Sequence, residues 1–89
     1  MNSVTIYTKS WCPYCARAKQ LLENQGISYT ELDVEQDANL LQEMIQRSGR
    51  HTVPQVFVGD RHIGGSDDLY AAHLNGDLDR ELNASQVIA

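Results

Sequence analysis

The stretch VTIYTKSWCPYCARAKQLL holds both cysteines of the chain, Cys12 and Cys15, which are separated by two residues. Thiols at this spacing suit three kinds of chemistry: half of a metal site, a short structural disulfide, or a pair that is reversibly oxidised. The surrounding segment is basic, because residues 1–22 contain Lys9, Arg17 and Lys19 but no acidic residue. The whole chain is acidic, with a net charge of −5 over 89 residues. This balance disfavours nucleic acid or an anionic membrane as a main partner.

The metal site and the structural disulfide are both disfavoured by spacing. A structural zinc needs four ligands, usually in closely spaced pairs. His51, His62 and His73 instead lie eleven residues apart and far from the cysteines. A disulfide within the pair would close a very short loop and would remove little entropy from the unfolded chain. A redox pair is the remaining interpretation.

The strands and helices that must position this pair are indicated by the period of the apolar residues. Alternation predicts strands over residues 3–8 and 27–34, and two short strands within 54–65 that are joined by a turn at Gly59 and Asp60. Helical spacing predicts one helix from the cysteine pair to Gly26 and a second from Asp37 as N-cap to about residue 48, ended by Gly49.

A last helix is predicted after the two short strands, with Ser66 as its N-cap and with Leu69, Ala72 and either His73 or Leu74 facing inward. Residues 75–89 read as a short amphipathic end with a frayed tail. The order β-α-β-α-β-β-α predicts an α/β fold: one domain over residues 1–89, with a mixed four-stranded sheet flanked on both faces by three or more helices.

This order places Cys12 after the first strand and at the start of the first helix. Unpaired backbone N–H groups and the helix dipole stabilise an anion there, and the thiolate is the nucleophilic form of cysteine. Pro13 suits the first helical turn. Cys15 lies one turn further on the same face, so we expect it to be more buried. The pattern predicts that Cys12 attacks and Cys15 resolves. Lys9 is either a nearby positive charge or a solvated residue at a strand end.

The segments YTKSWCPYCARAKQLL, TVPQVFVG and HIGGSDDLY together resemble the glutaredoxin family, specifically its short bacterial dithiol members, over residues 4 to about 80. The resemblance implies a thioredoxin-like fold and a cis bond between Val53 and Pro54. It also implies that the tripeptide glutathione is the partner. The backbone of Val53 would then pair with the extended substrate. Without the resemblance, Pro54 would simply begin an edge strand.

The resemblance also implies a set of binding residues for glutathione. The Asp67 amide would bind the γ-glutamyl carboxylate and Asp68 would bind the ammonium, whereas the residues alone suggest two acids that compensate the helix dipole. Lys9 is the first choice for the glycyl carboxylate, and Arg47, Arg50 or His51 could assist it. Trp11 would either flank the sulfur site on its outer side or pack against the strand end. The expected catalytic residues are Cys12 and Cys15, and the expected glutathione-binding residues are Lys9, Tyr14, Thr52, Val53, Pro54, Gly65, Ser66, Asp67 and Asp68.

The function implied is that of a glutathione-dependent thiol–disulfide oxidoreductase, which reduces protein–glutathione mixed disulfides and protein disulfides. Glutathione would be a cosubstrate, with no tightly bound cofactor, and the clients would be proteins with glutathionylated or disulfide-bonded cysteines. No signal peptide is visible, so a cytoplasmic location is expected. The protein is also expected to be a monomer that binds neither nucleic acid nor membrane. The alternatives are a thioredoxin-type general disulfide reductase and a module that binds an iron–sulfur cluster through Cys12 and glutathione.

Overall fold

The fold is taken from a computed structural model, which describes residues 3–83. No helix in this range is long and apolar enough to cross a bilayer. The range forms four strands and four helices, which are β1 (Val4–Thr8), α1 (Pro13–Asn24), β2 (Tyr29–Asp33), α2 (Ala38–Ser48), β3 (Gln55–Val58), β4 (Arg61–Gly64), α3 (Ser66–Asn75) and α4 (Asp77–Asn83).

The four strands form one mixed sheet in the order β2-β1-β3-β4. β1 pairs in parallel with β2, and Val4 lies opposite Tyr29. β1 pairs antiparallel with β3, and β3 pairs antiparallel with β4. The predicted parallel start, the hairpin and the mixed sheet are therefore confirmed. Because β1 is central, the chain that leaves its carboxyl end enters α1 next to the middle of the sheet.

Two apolar clusters cover the two faces of the sheet, as the alternation in β1 predicts. Val4 and Ile6 belong to the first cluster, with the inward faces of α1, α3 and α4. Tyr7 points to the other face, where it packs with Phe57 and with Met44 of α2. The sheet thus has three helices on one side and α2 on the other, which fixes the end of β1 between two packed layers.

The helix ends agree with the sequence at α2 and differ at α3. Asp37 caps α2, and Gly49 ends it with a φ of 71°. The N-cap of α3 is Gly65, and Ser66 is the first residue of the helix, so the predicted Ser66 cap is wrong. The reason is that the Asp68 carboxylate reaches back to the Gly65 N–H, at 2.9 Å, and takes the capping role.

The last part of the chain contains more helix than the sequence predicted. Leu69 and Ala72 are buried as expected, whereas the Leu74 side chain is 73% exposed and His73 is half-buried. The amphipathic end is helix α4, which buries Leu78 and Leu82 in the first apolar cluster. The predicted frayed tail after it lies outside the described residues.

Candidate active site

Cys12 is the N-cap residue of α1, with extended backbone angles (φ −84°, ψ 115°) and Pro13 directly after it. Its Sγ accepts a hydrogen bond from the N–H of Cys15 at 3.3 Å. Its own N–H donates to the carbonyl of Lys9 at 3.3 Å, which ties the loop after β1 to the start of the helix. The sulfur therefore lies at the positive end of the helix dipole, where a thiolate is stabilised.

Cys15 is the more buried thiol of the pair. Its side chain is fully buried, whereas Cys12 is 8% exposed, and both are free thiols. Burial raises the pKa of Cys15 to about 12, and the hydrogen bond and charge of Cys12 act in the same direction. At neutral pH Cys15 is therefore protonated. The two thiols therefore differ in accessibility, and deprotonation is disfavoured at the buried Cys15.

The loop before β3 faces the cysteine pair. The bond between Val53 and Pro54 is cis. The carbonyl of Val53 accepts a hydrogen bond from the Cys12 thiol at a donor–acceptor distance of 3.8 Å, within the range for sulfur. Pro54 is buried, and the loop forms one wall of a shallow groove beside the thiol.

This groove has a volume of about 290 Å³. It brings together three separate parts of the chain: the residue between the cysteines, the loop before β3 and the start of α3. Its lining consists of Tyr14, Arg50, Thr52, Val53, Pro54, Gly65, Ser66, Asp67 and Asp68. Eight of the nine expected glutathione-binding residues thus line one groove, and Arg50 adds a positive charge to it.

The start of α3 is held against the groove by the Asp68 carboxylate. Its Oδ2 accepts both the Gly65 N–H and the Arg50 guanidinium, each at 2.9 Å. These two hydrogen bonds hold the pKa of Asp68 below its usual range, and the bond from Arg50 makes the larger contribution. Gly64 has a φ of 125°, and a Cβ there would collide with the Asp68 side chain. Glycine at this position therefore permits the close contact between β4 and α3.

Lys9 is the expected binding residue that does not line the groove. Its ammonium lies 5.9 Å from the ring centroid of Trp11. Trp11 is 70% exposed, and its indole N–H donates to Glu35 at 3.4 Å. Both residues therefore flank the cysteines on the side of the β1 end, outside the groove lining.

The other basic residues named in the sequence occupy different places. Arg47 donates to the Tyr7 hydroxyl at 2.8 Å and stacks over Phe57 at 4.0 Å, so it joins α2 to the sheet. His51 is exposed and does not line the groove. Lys19 forms an ion pair with Glu31 of β2 at 3.0 Å.

Two polar residues next to the groove were missed in the sequence. Gln55 is 1% exposed and bonds both Thr52 and the imidazole of His62. Gln55 sits at an inward position of a strand, where a polar residue requires a partner. That position was the available signal, but the partners could not be read from the sequence.

The fold and the site define the class of the protein. A mixed sheet in the order β2-β1-β3-β4, with two thiols at the start of α1 and a cis proline facing them, is a thioredoxin-like fold with a dithiol centre. Such a centre suits thiol–disulfide exchange, in which a thiolate attacks a disulfide sulfur.

Comparisons with known proteins identify the family. The glutaredoxin family model matches residues 4–63. The chain is 56% identical to Glutaredoxin 3 of Escherichia coli over 79 residues, which cover 89% of this chain and 95% of that protein. The chain therefore belongs to the glutaredoxin family, and the resemblance seen in the sequence is confirmed.

Similar solved structures have the same fold and are also glutaredoxins. The solution structure of a glutaredoxin from Brucella melitensis matches with a TM-score of 0.83 and 49% identity, covering 99% of this chain and 96% of that one. The crystal structure of a buckwheat glutaredoxin–glutathione complex matches with a TM-score of 0.84 and 33% identity, covering 99% and 83%. The predicted thioredoxin-like fold is confirmed.

Proposed function

We propose that the protein is a glutathione-dependent thiol–disulfide oxidoreductase of the cytoplasm. The observation that carries the proposal is the groove beside Cys12, which is lined by the loop before β3 and the start of α3. Family membership supports thiol–disulfide exchange, and the similar buckwheat protein is a glutathione complex. The proposed substrates are protein–glutathione mixed disulfides and protein disulfides.

The first step is attack by the Cys12 thiolate on the glutathione sulfur of a protein–glutathione disulfide. A bond forms between the two sulfurs, the original disulfide breaks, and the client leaves as a thiolate that takes a proton from solvent. The enzyme then carries glutathione on Cys12. The N–H of Cys15, which donates to the Cys12 sulfur, stabilises the attacking anion before the bond forms.

The second step has two routes. The thiolate of a second glutathione attacks the bound glutathione sulfur, which forms oxidised glutathione and restores the Cys12 thiolate. Alternatively, Cys15 loses its proton, attacks the Cys12 sulfur and releases glutathione as a thiolate, leaving a Cys12–Cys15 disulfide. Burial raises the pKa of Cys15 most, but Cys12 contributes through its hydrogen bond and charge. Since a disulfide-bonded Cys12 carries no negative charge, the first step favours deprotonation of Cys15.

Glutathione would bind in the groove as an extended peptide. The N–H groups at the start of α3, including that of Asp67, suit the γ-glutamyl carboxylate. The Asp68 Oδ1 suits the ammonium, because both contacts of this carboxylate within residues 3–83 use Oδ2. Lys9 remains our proposed partner for the glycyl carboxylate, reached from outside the groove. The backbone of Val53 would pair with the central residue of the tripeptide.

The test is turnover of a glutathionylated peptide with glutathione, NADPH and glutathione reductase. We expect NADPH oxidation that requires both the protein and glutathione. A matched reaction replaces glutathione and its reductase with thioredoxin reductase, and little turnover is expected there. Turnover only in the second reaction would contradict the proposal and would indicate a general disulfide reductase.

The remaining features of the proposal concern the protein as a whole. We propose one domain over residues 1–89 that acts as a monomer, uses glutathione as a cosubstrate and holds no tightly bound cofactor. In the cell it would reduce glutathionylated or disulfide-containing clients and so contribute to redox homeostasis. A sedimentation measurement on the reduced protein should give the mass of a single chain, and a dimer mass would contradict this part of the proposal.

A further inference from the structure

A buried amide links the sheet to the groove. Gln55 is the first residue of β3, lies opposite Tyr7 of β1 and is 1% exposed. Its Nε2 lies 3.0 Å from the Thr52 carbonyl oxygen and 3.3 Å from the Thr52 hydroxyl. Its Oε1 lies 2.7 Å from Nε2 of His62. Every polar atom of this buried side chain therefore has a partner, as burial requires.

The chemistry of these partners allows a single orientation of the amide. The Thr52 carbonyl can only accept, so the amide nitrogen of Gln55 must face it. The amide oxygen then faces His62, whose Nε2 must carry the proton. Burial lowers the pKa of His62, which favours the neutral imidazole with this one donor. The imidazole is itself fixed by packing on Phe57, with 4.9 Å between the ring centroids.

Holding the Thr52 carbonyl also fixes the N–H of Val53, because both groups belong to one peptide plane. The Thr52–Val53 bond is trans, since the cis bond found in residues 3–83 is the next one along the chain. In a trans peptide the C=O and N–H groups point in opposite directions. The carbonyl points inward to Gln55, so the Val53 N–H points away from it. Within residues 3–83 this N–H has no acceptor.

We infer that Gln55 is a positioning residue that keeps the Val53 N–H directed at the substrate, and that His62 in turn fixes the Gln55 amide. The inference rests on the proposed function, in which the Val53 backbone pairs with glutathione. It assigns a task to a buried polar pair that does not itself line the groove, but that reaches it through Thr52. Without Gln55, the Thr52 carbonyl would have to find another donor, and the peptide plane would be free to rotate.

The experiment compares three variants of the full chain. Gln55→Met keeps the length of the side chain but removes the donor to Thr52. His62→Phe keeps the ring on Phe57 but removes the donor to Gln55. Val58→Ala is the matched control, because it weakens the other face of the same strand and leaves these hydrogen bonds intact. Each variant is assayed for kcat and KM with a glutathionylated peptide and for the rate at which iodoacetamide alkylates Cys12.

Loss of one aligned hydrogen bond predicts a KM about five- to tenfold higher for Gln55→Met and His62→Phe, with kcat within about twofold of the wild type. Alkylation of Cys12 should not change, because iodoacetamide makes no use of the Val53 N–H. Val58→Ala should keep the wild-type KM. If Gln55→Met does not fold, His62→Phe alone decides the inference.

An unchanged KM in the folded variants would overturn the inference, and so would an equal rise in Val58→Ala. A rise in Gln55→Met without one in His62→Phe would overturn the part assigned to His62. These results differ from a failure of the proposed function, in which the wild-type protein itself would show no glutathione-dependent turnover.

Discussion

Near pH 8, iodoacetamide should alkylate Cys12 while Cys15 stays almost unlabelled in the folded protein. Only the thiolate reacts, so the rate follows the thiolate fraction. With a pKa of about 12, about 1 in 10⁴ of the Cys15 side chains is a thiolate at pH 8. With the ordinary value of 9.0 it would be about 1 in 10. Cys15 should therefore label about 10³-fold more slowly than in the unfolded chain.

A variant can separate the causes of the slow labelling of Cys15. Burial makes the largest contribution to the raised pKa of Cys15, followed by its hydrogen bond with Cys12, while the charge of Lys19 lowers the pKa. Cys12→Ser should speed labelling of Cys15, because it removes the sulfur whose hydrogen bond and charge raise the pKa of Cys15. The rate should still remain far below that in the unfolded chain, because the burial is unchanged.

The assay is peptide mapping by mass spectrometry after timed alkylation at several pH values, with and without denaturing urea. In the folded protein, the labelling rate of Cys15 should rise about tenfold per pH unit past pH 9, since its pKa lies higher. Labelling of folded Cys15 at pH 8 within tenfold of the rate in urea would refute the reasoning. A rate that levels off near pH 9 would refute it equally.

Three further substitutions test other parts of the structure. Asp68→Asn should raise KM for a glutathionylated peptide about fivefold with little change in kcat, because a half-exposed carboxylate contributes about 1 kcal/mol to binding an ammonium. An unchanged KM in steady-state assays would contradict this. Tyr7→Phe should lower the free energy of unfolding by about 1 kcal/mol in urea titrations, because it removes the hydroxyl that forms hydrogen bonds with Glu43 and Arg47. Equal stability of the two proteins would contradict this prediction. Glu31→Gln should lower the stability by less than about 1 kcal/mol at pH 7. The Thr8 hydrogen bond lowers the pKa of Glu31 in the folded protein. The stabilisation by Glu31 is therefore present above the unfolded pKa of 4.5 and is lost as pH falls through the lowered folded pKa. The difference between the urea midpoints of the two proteins should shrink as the pH falls below 4.5, and a constant difference would contradict this.

Strand β1 was predictable because successive residues of a strand face opposite sides of the sheet. Val4 and Ile6 enter one apolar cluster while Tyr7 enters the other, so alternation in the sequence follows the packing. The apolar residues of segment 27–34 are likewise divided between the two faces: Tyr29 packs on the first cluster and Val34 on the second. Two local signals, Asp37 as the N-cap and Gly49 after the last turn, were sufficient to predict the ends of α2.

The parts of the site that escaped prediction depend on contacts between distant residues. The N-cap of α3 is Gly65 and not Ser66, and the Asp68 carboxylate that accepts the Gly65 N–H also bonds Arg50, eighteen positions earlier. Gln55 is paired with Thr52 and with a histidine on the next strand, and such a pairing leaves no periodic signal. The cis bond before Pro54 followed from the family resemblance rather than from the residue pattern. The order of attack stays a prediction, which rests on where the two thiols lie on one helix.

The central claim is that Cys12 attacks and Cys15 resolves, and deglutathionylation by two serine variants tests it most directly. Both variants are assayed against the wild type with a glutathionylated peptide, glutathione, NADPH and glutathione reductase. We expect Cys12→Ser to be inactive and Cys15→Ser to retain substantial activity, because a second glutathione can replace Cys15 in the second step. Loss of activity in both variants, or activity that survives in Cys12→Ser, would contradict the account.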